Sequence, residues 1–216
     1  MRSAILLAGV AMLIGAQSVL AHEEIGEGGG DHGRFHILKP LPSEPDAYQG
    51  PAAALVEQGI PEKYGAEEWA AVVFAHEIHQ HVGIMTVVGA KMAVRAREVL
   101  DAPYRSVKIF SETGPAQPYS CAIDGMQAAI GSTLGQQLIE TAPTDTPRMA
   151  ATFTHGERKI RLVLKPEYQQ RIAKCIQDAI AAHGNLTPAY FEEIEEHCYR
   201  VWAEFDRREI FAVEEL

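Results

Sequence analysis

Cysteine is scarce in this chain, with three residues among 216: Cys121, Cys175 and Cys198. The sequence contains no Cys-x-x-Cys-His, which excludes covalent haem attachment. At most one disulfide can form within the chain, and Cys175 and Cys198, on two successive predicted helices, are the candidates for it. Cys121 would then stand alone.

Positive charge is also scarce. The chain has 19 Lys and Arg residues against 29 Asp and Glu residues, a net charge of −10, and no cluster of basic residues or series of aromatic residues offsets the excess. Such a surface repels phosphate backbones, so we do not expect a nucleic acid as partner.

Long apolar runs are absent except in the first 21 residues, MRSAILLAGVAMLIGAQSVLA. One cationic residue, an apolar segment and a finish on small residues predict a cleavable signal peptide over 1–21, and therefore a periplasmic protein. An uncleaved membrane anchor is the alternative, because the run is nearly long enough to span a bilayer. No other stretch is, so we predict no membrane span in the mature chain.

Residues 22–65 show little hydrophobic period and contain a Gly-rich run, GEGGG, and a Pro-rich run, KPLPSEP. This composition predicts an extended arm or linker. His22, His32 and His36 lie in it, so a metal-gathering arm is the alternative to a solvated linker. After signal cleavage the amino group and ring of His22 could also chelate copper together.

The rest of the chain mixes helical periods with strand alternation. We predict helices over about 66–78, 84–101, 121–130, 166–183 and from 188 onward, and strands over 106–112, 137–140, 149–154 and 159–164. This order predicts an α+β fold, a small and mostly antiparallel sheet packed against helices.

We assign residues 66–165 to this α+β domain, and 166–216 to additional C-terminal helices packed on it. The last helix carries an apolar seam, which indicates core packing, with a homodimer contact as the alternative. The seam consists of Phe191, Ile194, Cys198, Val201 and Phe205.

Three of the nine histidines fall within HEIHQHVG, residues 76–83. On a continuous helix His76 and His79 would share one side and His81 would point away from His79, so the three could not hold one ion. The spacing also differs from the zinc-protease helix, whose histidines stand four apart. We therefore predict an elbow between two helices, allowed by Gly83, with His79 and His81 as metal ligands. A single long helix with structural histidines is the alternative.

A second candidate element is SCAID, residues 120–124, where Ser120 is a good helix N-cap. A cysteine in the first turn of a helix feels the positive end of the helix dipole, which favours its thiolate. Cys121 is therefore a candidate metal ligand or nucleophile, with a buried apolar role as the alternative. Asp124 could orient a histidine or simply favour the helix start.

Together, HQHVGIMTVVGAKMA (79–93) and SCAIDGMQAAIGSTLG (120–135) resemble the FmdE family, which takes its name from formylmethanofuran dehydrogenase. In that family a His-Gly-His-x-Cys-Pro-Gly element opens a helix ending in Gly-x-Arg/Lys-x-Ala, and a Ser-Cys-Ala-x-Asp element opens another. The matching positions are His79, His81, Gly89, Cys121 and Asp124. The resemblance covers roughly residues 70–165.

The chain departs from the family motif at several positions. Gly83 stands where the family has cysteine, Gln80 replaces the inner glycine, and Ile84-Met85 replaces Pro-Gly. Cys175 and Cys198 are not the paired cysteines of members with a zinc ribbon. The resemblance implies an α+β fold and a metal site, with zinc the usual expectation, but no formylmethanofuran chemistry, pterin or molybdenum.

The ligands implied are His79, His81 and Cys121, with His76 as a compensating candidate and Asp124 as hydrogen-bond acceptor behind them. The leading hypothesis is a periplasmic protein that binds zinc or copper and serves a metal or redox pathway with an unknown periplasmic partner. The alternatives are non-covalent haem binding through a histidine or Cys121, a metal- or thiol-dependent enzyme, and a dimeric assembly protein.

Overall fold

The computed structural model describes residues 41–216; the predicted signal peptide and the arm up to residue 40, with His22, His32 and His36, lie outside them. The helices are α1 (Pro51–Glu57), α2 (Ile60–Tyr64), α3 (Ala66–His79), α4 (Ile84–Leu100), α5 (Cys121–Ile130), α6 (Pro166–His183) and α7 (Pro188–Glu204). The strands are β1 (Lys108–Ser111), β2 (Ile139–Thr141), β3 (Ala150–His155), β4 (Arg158–Leu164) and β5 (Phe211–Glu215).

The five strands form one sheet in the order β2-β1-β3-β4-β5. Only β1 and β2 pair in parallel, and the other neighbours are antiparallel. The predicted α+β fold with a mostly antiparallel sheet is confirmed. The predicted hairpin is also present, since β3 and β4 pair up to His155 and Arg158 around a two-residue turn in which Gly156 has φ +58°.

Helix α4 is the centre of the core. Most of its residues are buried, and it contacts α3, α5, α7 and β4. One row of the sheet, Ile109, Phe153 and Ile160 on adjacent strands, is buried in the same core. A helix that is buried over most of its length is expected where both layers of a fold meet.

The prediction of an extended arm is wrong for residues 51–64, which form α1 and α2. Each helix has a proline at its first or second position. Proline is also common in linkers, so its presence here favoured the linker prediction. Both helices bury apolar side chains, among them Leu55 and Ile60. The hydroxyl of Tyr64 also donates to the carbonyl oxygen of Ala203 on α7 at 2.8 Å.

Strand β5 was not predicted. Its residues are exposed after Phe211, so the segment carries little hydrophobic alternation. It is an edge strand, and its pairing comes from the backbone of β4 rather than from its own pattern. In the preceding α7 the apolar seam faces the core at Cys198, Val201 and Phe205, whereas Phe191 is about half exposed.

A buried ionic cluster joins α3, α4 and the segment after α7. Lys91 and Glu68 are fully buried, and Lys91 Nζ donates to Glu68 Oε1 at 2.5 Å. Arg207 Nη1 donates to the other Glu68 oxygen at 2.9 Å and to the carbonyl oxygen of Tyr64 at 2.7 Å. Burial lowers the pKa of Lys91. Buried charges need partners, and this cluster supplies them.

The predicted elbow between two helices is confirmed. Helix α3 ends at His79, Gln80 adopts a left-handed conformation (φ 60°), and Gly83 is the extended residue that precedes α4. The backbone N–H of Gly83 donates to His76 Nε2 at 3.1 Å, which links the two sides of the elbow. Burial lowers the pKa of His76 to about 4, so the ring is neutral and can accept this bond.

Helices α4 and α5 cross with their backbones in contact at two glycines. A Cβ on Gly89 would lie 2.0 Å from the carbonyl oxygen of Ala122, and one on Gly125 would lie 2.1 Å from that of Thr86. No side-chain atom fits at either distance. The crossing therefore requires glycine at both positions, and it sets where the first turn of α5 lies relative to the elbow.

We expect Gly89→Ala to destabilise the protein by about 3 kcal/mol or more, because the added methyl group meets backbone that cannot move without separating the helices. Urea unfolding of the metal-free protein measures the change. Gly135→Ala is the matched control, since a Cβ there has no atom within 4 Å. Equal stability of the two variants would contradict the close crossing.

We also expect stability to fall as the pH drops through the range set by His76. Its folded pKa lies below the ordinary value of 6.5, so the unfolded chain takes up the proton first, and the loss begins near pH 6.5 and grows toward pH 4. Between pH 7 and pH 5 this group should account for about 2 kcal/mol. The measurement is urea unfolding with a chelator present.

The control for this pH effect is His76→Gln, whose side-chain oxygen can accept the same hydrogen bond but does not titrate. Between pH 7 and pH 5, this variant should lose about 2 kcal/mol less stability than the unmodified protein. Parallel pH profiles would show that His76 is not the responsible group.

Candidate metal site

His79, the last residue of α3, meets Asp124 in the first turn of α5. His79 Nδ1 lies 2.9 Å from Asp124 Oδ2, and the histidine side chain is 10% exposed. A carboxylate only accepts hydrogen bonds, so the contact selects the tautomer with the proton on Nδ1 and the lone pair on Nε2. This contact connects the two sequence motifs and fixes the orientation of the ring.

His79 Nε2 has no hydrogen-bond partner among the described residues although it is buried, and the hydroxyl of Thr86 shares this condition. Both atoms border the space beside Gly83. A Cβ on Gly83 would stand 3.0 Å from Thr86 Oγ1 and 3.6 Å from His79 Nε2. Buried polar groups in folded proteins nearly always have partners, so two in one place are unusual.

His81 lies in the elbow, next to His79. The centroids of the two rings are 4.1 Å apart, with an angle of 40° between the ring planes. Partial burial is the main cause that lowers the pKa of His81. The ring is therefore neutral at pH 7, which is the form that a metal ligand must have.

Cys121 is the first residue of α5, as predicted, but the expectation of a favoured thiolate is wrong. Burial, and then the negative charge of Asp124, raise the pKa of the thiol. These effects outweigh a backbone hydrogen bond of Cys121, which acts in the opposite direction. Ser120 has helical backbone angles, and its side chain makes no capping hydrogen bond, so the predicted N-cap interaction is also absent.

The other sequence candidates have different surroundings. His76 Nε2 accepts the hydrogen bond from Gly83, so its lone pair is already engaged at the elbow. Cys175 and Cys198 are free, and no disulfide joins them. Cys198 is fully buried, which raises its pKa well above the ordinary value.

Across residues 41–216, no group of three His, Cys, Asp or Glu side chains stands arranged to hold an ion. What the structure brings together is the pair His79 and Asp124. The tilted ring of His81 lies beside His79, and Cys121 is about one helical turn from Asp124. His81 is exposed and Cys121 is partly exposed, and neither is hydrogen-bonded to His79 Nε2.

Sequence reasoning missed Thr86. It is the one hydroxyl residue in the apolar run IMTVVGAKMA, 84–93, and it is fully buried. A lone hydroxyl in a mostly apolar segment is a usable signal, because its side chain must find a partner in the core or at a site.

No helix between residues 41 and 216 has both the length and the apolar character that crossing a bilayer requires.

Comparison with known proteins gives one family match. The model of the family described as "FmdE, Molybdenum formylmethanofuran dehydrogenase operon" matches residues 78–210. No curated protein matches the chain. The matched range contains the elbow, the crossing of α4 and α5, the whole of β1 to β4, and both C-terminal helices. The chain therefore belongs to the FmdE family.

Proposed function

We propose that this FmdE family member is a metal-binding protein that holds one transition-metal ion, zinc in the first instance, at His79 Nε2. The observation that carries the proposal is the buried lone pair of His79, which has no partner among the described residues while Asp124 fixes the opposite side of the ring. A histidine that ligates a metal through one nitrogen commonly donates its other N–H to a carboxylate.

The free energy of burial supports this role. A buried acceptor without a partner costs roughly 1–3 kcal/mol, and an ion at Nε2 would remove that cost. The alternative of a purely structural histidine leaves Nε2 unexplained, because such a residue would be expected to use both nitrogens, as His76 does with Gly83 and Val72.

His81 and Cys121 are the further protein ligands that we propose. His81 is neutral at pH 7, so it loses no proton on binding. Cys121 has a raised pKa, so its thiol must release a proton when it binds an ion, and metal affinity should increase with pH. Two imidazoles and one thiolate suit zinc or copper, and they leave one position of a tetrahedral site for a ligand from outside the chain.

The proposed setting is the periplasm, after cleavage of the predicted signal peptide, with a metal or redox pathway as the context. The acidic composition supports a protein partner or a cation rather than a nucleic acid. The raised pKa of Cys121 counts against the competing idea of a thiol nucleophile, since the thiolate is the reactive form.

We expect the mature protein to bind one Zn²⁺, and His79→Ala to abolish high-affinity binding. Asp124→Asn should weaken binding about 10–100-fold, because the amide no longer holds His79 as a carboxylate does. His81→Ala and Cys121→Ala should each weaken it as well. Isothermal titration of the apoprotein, with elemental analysis of protein isolated from its own compartment, measures these changes.

The matched control is His183→Ala, a partly exposed histidine at the end of α6. It should bind Zn²⁺ as the unmodified protein does. Equal affinity of His79→Ala and His183→Ala would contradict the proposal. An absorption spectrum of the isolated protein distinguishes zinc binding from non-covalent haem binding, because haem would give a Soret band.

A further inference from the structure

Gly83 is not explained by its backbone conformation. Its angles, φ −129° and ψ 126°, are those of an extended residue and are open to any amino acid. The position also precedes a helix, where Ser, Asp or Asn would cap the free N–H groups of α4 slightly better than glycine. What glycine contributes here is the space that a side chain would fill.

That space lies next to the two unpartnered atoms of the site. A Cβ on Gly83 would be 3.0 Å from the hydroxyl of Thr86, a hydrogen-bond distance for an oxygen or nitrogen atom at the same place. It would be 3.6 Å from His79 Nε2. Two atoms bound to one tetrahedral ion, each at ~2 Å, stand ~3.3 Å apart, which is close to this separation.

Thr86 is suited to hold such a ligand. Its side chain is fully buried, and its Oγ1 has no partner among the residues that the structure describes. The carbonyl oxygen of Thr86 lies against Gly125 of α5, so the close helix crossing fixes its backbone. A hydroxyl held in this way can donate a hydrogen bond to a ligand atom beside the ion. Because its backbone is fixed, it can do so at this one position.

We propose that Gly83 keeps open a binding position for a small exogenous ligand of the metal, a water molecule or a small monovalent anion, which accepts a hydrogen bond from the Thr86 hydroxyl. This inference rests on the proposed function, since His79 Nε2 must hold the ion. Neither Gly83 nor Thr86 ligates the metal. Gly83 leaves room for the exogenous ligand because it has no side chain, and Thr86 donates a hydrogen bond to that ligand.

The test uses Co²⁺ as a visible substitute for zinc and azide as the probe ligand. Full-length mature protein is loaded with Co²⁺, and azide is titrated while the cobalt d–d bands are followed. We expect azide to shift these bands in the unmodified protein. In Gly83→Ala the methyl group occupies the ligand position, so azide affinity should fall about tenfold or more, beyond any change in Co²⁺ affinity measured on the same sample.

Thr86→Val provides a second variant that keeps the side-chain shape and removes the hydroxyl. Its azide affinity should fall about tenfold, as expected for a lost buried hydrogen bond to a charged ligand. It also keeps the proposal testable if Gly83→Ala does not fold, which circular dichroism will show. Gly135→Ala, in open space, is the matched glycine control and should respond to azide like the unmodified protein.

The outcomes separate the two proposals. If the unmodified protein gives no cobalt d–d bands, the proposed metal site is wrong and this inference falls with it. If cobalt binds but azide leaves its bands unchanged, or if both Gly83→Ala and Thr86→Val respond like Gly135→Ala, the ligand position is wrong while the metal site stands.

Discussion

The close crossing of α4 and α5 is the constraint on which the site depends. Helices packed through ordinary side chains lie about 8–10 Å apart, whereas here backbone meets backbone at Gly89 and Gly125. The crossing brings the first turn of α5 beside the elbow, so that the short side chain of Asp124 reaches His79. With any side chain at either glycine, the carboxylate and the imidazole would move apart.

Two sets of polar contacts hold the elbow. Along the two helices, Glu68 on α3 pairs with Lys91 on α4 and with Arg207. At the elbow itself, His76 accepts a hydrogen bond from the backbone N–H of Gly83. These contacts fix α3 relative to α4, while the contact with Asp124 fixes the ring of His79. Folded proteins tolerate such local costs mainly at functional positions, where the surrounding structure determines the geometry.

Asp124 acts on both candidate ligands in opposite ways. It orients His79 so that the proton is on Nδ1 and the lone pair is on Nε2. Burial raises the pKa of Cys121, one helical turn earlier, and the negative charge of Asp124 adds to this effect. A bound cation would reverse the effect on the thiol, because it stabilises the thiolate directly.

Much of the fold follows from local sequence signals, while other features depend on which surfaces meet. The glycines after α5 and α6 end their helices as predicted, Thr187 caps α7, and the turn at Gly156 joins β3 to β4. By contrast, α1 and α2 are short and read as linker, yet packing on distant residues stabilises them. The thiol of Cys121 is in the predicted place, but burial and Asp124 set its protonation, which local sequence does not reveal.

Local sequence was sufficient for the helices from α3 onward, most of the strands, the elbow and the family motifs, because each depends on neighbours within a few residues. Three further relations came from the folded chain alone: His79 is the histidine paired with Asp124, the Thr86 hydroxyl is buried without a partner among the described residues, and the space beside Gly83 borders both side chains. They join residues from α3, the elbow, α4 and α5, and they exist only because two glycines let α4 and α5 touch.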